Sequence, residues 1–107
     1  PIIGKAHLAY ISNGRVIGLS KLNRLVEFYA KRPQVQERLT MQIAKELQKE
    51  LGTEDVAIVI DAKHLCVASR GVEDDTSSTI TSFYGGKFKE EKRKEEFLRY
   101  LELKTEF

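Results

Sequence analysis

The feature that most constrains this chain is the run from Asp55 to Arg70. Val56, Ile58, Ile60 and Ala62 recur with a period of two, which places them on one face of a strand. The same parity continues through His64, Cys66, Ala68 and Arg70 unless a bulge intervenes. A strand this long with an apolar face needs partner strands and a covering layer. Residues 2 to 12, rich in Ile, Leu and Tyr, read as a first strand. Asn13-Gly14 signals a type I′ hairpin turn, and Arg15 to Leu19 then pairs back as a second strand. Glu73-Asp74-Asp75 is a polar turn, and Ser78 to Tyr84 is a fourth strand that Gly85-Gly86 breaks.

The intervening segments change period. Ser20 is placed to cap a helix whose apolar face is Leu22, Leu25, Val26 and Tyr29. Pro33 disfavours helix at Arg32 and can open a new one. Leu39, Ile43, Leu47 and Leu51 form the stripe of a second helix, ended by Gly52. Glu90 to Leu103 reads as a charged amphipathic helix with Phe97, Leu98 and Leu101 as its apolar side. The order β-β-α-α-β-β-α predicts an α+β fold, an antiparallel sheet with helices packed on one face.

Bulk properties exclude several classes. The 107 residues suit one domain spanning 1–107. Eighteen basic and sixteen acidic residues leave a net charge of +2, with no long basic stripe for nucleic acid. No apolar run approaches the ~20 residues that span a bilayer, and no secretory signal is visible. The lone cysteine excludes an internal disulfide and makes a reducing, cytoplasmic setting the default. Pro1-Ile2-Ile3-Gly4 lacks an initiator Met and enters directly into strand, which reads as a truncation.

Three groups of residues carry chemistry, and each also has an ordinary explanation. Ser20, Lys21 and Arg24 combine a helix N-terminus with two cations, an anion or phosphate site; the ordinary alternative is a cap with solvated bases. Gln36 and Glu37 open the second helix, where a carboxylate suits the dipole and can accept from the N–H edge of a purine; the alternative is a solvated helix start. His64 and Cys66, two apart on one strand face, join a proton carrier to a potential zinc ligand; the alternative is a core histidine beside a buried thiol. Arg70, further along the same strand, can clamp an anion or sit at the surface. His7, Phe83, Tyr84 and Phe88 read as packing residues.

Together and in order, these segments resemble GTP cyclohydrolase I. The resemblance lies in Gly18-Leu19-Ser20-Lys21-Leu22, in Gln34-Val35-Gln36-Glu37-Arg38-Leu39-Thr40, and in His64-Leu65-Cys66 followed by Arg70-Gly71-Val72. Thr81-Ser82, Gly85-Gly86 and Phe88-Lys89 extend it to essentially the whole chain. It implies the tunnelling fold, a four-stranded antiparallel sheet with two antiparallel helices between its second and third strands. It also implies edge-to-edge assembly into a homo-oligomeric barrel of two pentameric rings, with sites between subunits. The implied reaction turns GTP and water into dihydroneopterin triphosphate and formate, an early step of folate and pterin synthesis. On the same basis Cys66 is a zinc ligand and His64 a general acid/base. Glu37, helped by Gln36, holds the guanine, and Ser20, Lys21, Arg24 and Arg70 bind the triphosphate. The family draws its other zinc ligands from a Cys-x-x-His segment just before the counterpart of Pro1, so the expectation for this chain alone is weak zinc binding and little turnover. The competing expectations are another tunnelling-fold purine or pterin enzyme, or a non-catalytic barrel-forming module. Ser20-Lys21 and His64-x-Cys66 favour the cyclohydrolase.

Overall fold

A computed structural model describes residues 2–31, 35–64 and 78–105, with side chains described for 4–31, 35–63 and 78–103. The elements in order are β1 (Ile2–Tyr10), α1 (Leu19–Ala30), α2 (Gln36–Leu51), β2 (Val56–His64), β3 (Thr79–Tyr84), a short 3-10 turn (Gly86–Lys89) and α3 (Glu91–Thr105). The strands form an antiparallel sheet in the order β1-β2-β3. Ile2 lies opposite His64 and Tyr10 opposite Val56, while Ala57 lies opposite Tyr84 and Ala62 opposite Thr79.

Its central position explains the composition of β2. Val56, Ile58, Ile60 and Ala62 are buried against Leu39, Ile43, Leu47 and Leu51 of α2, and the inner face of α1 packs on the same cluster through Leu22, Leu25, Val26 and Tyr29. Ala57 and Val59, of opposite parity, are buried with Phe88 and Phe97. Helices α1 and α2 therefore cover one face of the sheet, while α3 and the 3-10 turn cover the other. Both predicted helical stripes face the core, as their 3.6-residue period requires. On α3, Phe97 is buried and Leu101 half-buried, but Leu98 is exposed, because a helix resting over one edge of a cluster buries only a narrow stripe.

The predicted second strand is not formed. Among the described residues the sheet has three strands, and residues 15–18 join no ladder. The local cause is the turn at Asn13-Gly14. A type I′ turn needs positive φ at both central residues, whereas only Gly14 has it, at 112°. Ser12 closes a tighter loop instead: its Oγ accepts from the Gly14 N–H and donates to the Arg15 carbonyl. Asn13 Nδ2 donates to the Gly52 carbonyl at 2.9 Å, tying the turn to the end of α2. The chain thus crosses toward the helical layer, where Ile17 joins the core cluster. Gly52 ends α2 in the left-handed region, φ 64° and ψ 32°, with Arg15 packed against it. The Pro33 boundary and the Glu73-Asp74-Asp75 turn lie outside the described residues.

Candidate functional site

Helix α2 begins with two residues of opposite character. Glu37 is exposed in the first turn, the place where a carboxylate complements the helix dipole. Gln36 is only 3% exposed. Its Nε2 lies 2.8 Å from the Thr79 carbonyl, 3.1 Å from Thr81 Oγ1 and 3.2 Å from the Ile60 carbonyl. Gln36 therefore ties the mouth of α2 to both β2 and β3. Four residues on, Thr40 is also buried; its hydroxyl donates to the Gln36 carbonyl and sits 2.6 Å from Thr81 Oγ1. Neither Thr40 nor Thr81 stands out in the sequence as a site residue. The available signal was spacing: Gln36 and Thr40 extend the stripe of Ile43, Leu47 and Leu51 toward the helix start, so both face the sheet.

The predicted cap of α1 is displaced. Gly18, in extended conformation, occupies the N-cap position without a side-chain cap bond, and Ser20 is the second helical residue. The loop from Ser12 to Gly18 delivers the chain one residue pair earlier than the Ser20 signal implies, so the serine hydroxyl lies inside the first turn. Lys21, in that turn, makes a 2.9 Å ion pair with Glu50 Oε2. The hydrogen bond and charge of Lys21, with weaker help from Lys49 and Arg15, hold the Glu50 carboxyl below its ordinary pKa. Arg24 is exposed one turn further on.

The ion pair also shows the relative direction of the two helices. Lys21 opens α1 and Glu50 closes α2, so the two helices run antiparallel. Glu37 and the Lys21 ammonium consequently sit at opposite ends of α2. Thirteen helical residues from Glu37 to Glu50, at ~1.5 Å each, separate them by about 20 Å along the axis. The structure brings Gln36 together with β2 and β3, but it does not bring Glu37 and Lys21 of one chain together.

His64 closes β2 opposite Ile2; its side chain is outside the described set, as are Cys66 and Arg70 altogether. Among the described residues no three His, Cys, Asp or Glu side chains cluster as a metal site, so these residues alone do not fit a zinc centre. His7 is half-buried on β1 opposite Val59 and lines a groove of about 680 Å³ with Leu22, Val26, Phe97 and Tyr100. Among the described residues, none of the predicted site residues lines that groove. Among the described residues no helix is long and apolar enough to cross a membrane.

Comparison with known proteins agrees with the motifs. A family profile described as GTP cyclohydrolase I matches residues 1–102. GTP cyclohydrolase 1 of Flavobacterium johnsoniae is 74% identical over all 107 residues, which is 48% of that relative's length. The enzymes of the same name from Aeromonas hydrophila and Edwardsiella ictaluri are 64% identical over 82% of this chain and 60% identical over 92% of it, covering 40% and 45% of their own lengths. The chain spans about half the length of the curated relatives it matches. With a matching profile over 102 of its residues and this degree of identity throughout, the chain belongs to the GTP cyclohydrolase I family.

Proposed function

We propose that the protein is a GTP cyclohydrolase I, converting GTP and water into 7,8-dihydroneopterin triphosphate and formate for pterin and folate synthesis. Family membership along the length of the chain carries this reading. The exposed carboxylate of Glu37, at the positive mouth of α2 and backed by Gln36, is the group that accepts from the guanine N–H edge. Ser20, Lys21, Arg24 and Arg70 bind the triphosphate. His64 moves protons to and from the purine and the ribose, a task suited to imidazole near neutral pH. Cys66 is a zinc ligand in this proposal. Residues 1–107 act as one catalytic domain in the cytoplasm.

The placement of Glu37 and Lys21 at opposite ends of α2 supports a shared site. The base-binding acid of one copy faces the phosphate-binding cations of another. Both β1 and β3 have a single partner strand among the described residues, leaving two sheet edges for neighbouring copies. Edge-to-edge growth of this sheet is how the closed barrel of the tunnelling fold would be completed.

The test is ultraviolet-monitored GTP turnover in the longest natural form of the protein. The parent should convert GTP, Glu37→Ala should lose GTP binding, and His64→Ala should bind GTP while losing turnover by about 10²-fold or more. A parent that binds no GTP would overturn the reading.

A further inference from the structure

Three polar side chains interrupt an otherwise apolar contact between α2 and the sheet. Gln36 and Thr40 are 3% and 2% exposed, and Thr81 is half-buried opposite Ile60. Their hydrogen bonds form a directed ring. Gln36 Nε2–H donates to Thr81 Oγ1, and the Thr40 hydroxyl donates to the Gln36 carbonyl. That leaves Thr81 as the donor in the 2.6 Å contact with Thr40 Oγ1. The remaining Nε2 hydrogen goes to the carbonyls of Thr79 and Ile60. In this arrangement each hydroxyl hydrogen is used once, so rotating either breaks the ring.

Replacing both partners of a buried hydrogen bond by apolar groups of the same shape is often nearly neutral for stability, whereas removing one partner is costly. A buried network whose members are satisfied gives position instead, because only one offset of the helix on the sheet pairs every group. That offset fixes the first turn of α2. We propose that Thr40 and Thr81 are positioning residues for base recognition, locking Gln36 to β2 and β3 and so holding the Glu37 carboxylate at the height and angle that reads the guanine edge. The same clamp grips β2 at Ile60, four residues before His64, and keeps the acid in register with the strand that carries the proton shuttle. This rests on the reading of Glu37 as the guanine anchor.

The experiment compares dissociation constants for GTP and inosine triphosphate, which lacks the exocyclic amine, in the longest natural form of the protein. The variants are Thr81→Val, Thr40→Val, Thr81→Ser and Glu37→Ala. Each Val variant should lose about tenfold in preference for GTP, the scale of one misaligned charged hydrogen bond. Thr81→Ser, which keeps the hydroxyl, should retain it. A merely structural role would lower the melting temperature and leave the ratio unchanged, and an unchanged ratio in the Val variants overturns the proposal. Should Thr81→Val fail to fold, Thr40→Val decides, since there Thr81 can still accept from Gln36. A parent without preference for GTP overturns both this proposal and the anchor role of Glu37. Loss of preference in Glu37→Ala but not in the Val variants overturns the clamp alone.

Discussion

Lys21 holds two potential partners at different prices. Its ion pair with Glu50 joins groups that are 54% and 35% exposed, so solvent and salt screen it and its contribution to folding is small. A triphosphate offers far more negative charge than one carboxylate, and the lysine can turn from Glu50 to meet it. Lys21→Ala should therefore weaken GTP binding about tenfold or more while moving the melting temperature by no more than about 2–3 °C, checked by titration and thermal unfolding of the same variant. The pair has a pH signature of defined sign. Lys21 lowers the carboxyl pKa of Glu50 in the folded state, so the stabilisation is present above the unfolded pKa and disappears as pH falls through the folded one. In Glu50→Gln that part of the acid-side loss of stability should be missing, and added salt should erase the difference between variant and parent. A difference persisting at high salt would contradict a screened surface pair.

At the scale of elements, α2 is the beam on which the rest is mounted. Ile43 and Leu47 are 0% and 2% exposed between α1 and the sheet, touching the buried row of β2. Truncating either leaves a cavity that a two-sided contact cannot close, so Ile43→Ala or Leu47→Ala should cost about 2–5 kcal/mol in denaturant unfolding. A cost below 1 kcal/mol would mean that the layer is loosely packed. These core stripes were legible in the sequence because periods of 3.6 and 2 depend only on which face is buried. The second strand was not legible in the same way. Asn13-Gly14 has hairpin composition, but Ser12 bonds the turn to itself and Asn13 ties it to Gly52, 39 residues away, a contact that no local pattern reports. Ser20 misled for a related reason: composition names a cap, whereas the preceding loop decides which residue reaches the cap position. Leu98 on α3 shows that an apolar residue beside a buried stripe can stay outside when only a narrow stripe of the helix meets the core.

At the scale of the whole molecule, the candidate site was legible as a set of residue types and not as an arrangement. Glu37, Lys21 and Arg24 were each picked out by helix position. Their separation along α2 follows from the antiparallel packing of α1 and α2, which the Lys21–Glu50 contact makes visible. Gln36 was chosen for its chemistry toward a base, and the structure adds that its amide is already engaged by β2 and β3. Under the proposed function, that separation would require a nucleotide held by Glu37 of one copy to take its phosphate cations from another. Among the described residues β1 and β3 each have one partner strand, and their other edges would provide the route to that neighbour.

Subunit mixing tests this most directly. Glu37→Ala and Lys21→Ala proteins are prepared separately, unfolded, mixed in equal amounts and refolded together, with GTP turnover as the readout. Each variant alone should be nearly inactive, and random mixing should restore about a quarter of the sites, those that join an unaltered Glu37 to an unaltered Lys21 across a symmetric interface. No recovery in verified mixed oligomers would contradict the shared site, because it would place both residues of each working site within a single chain.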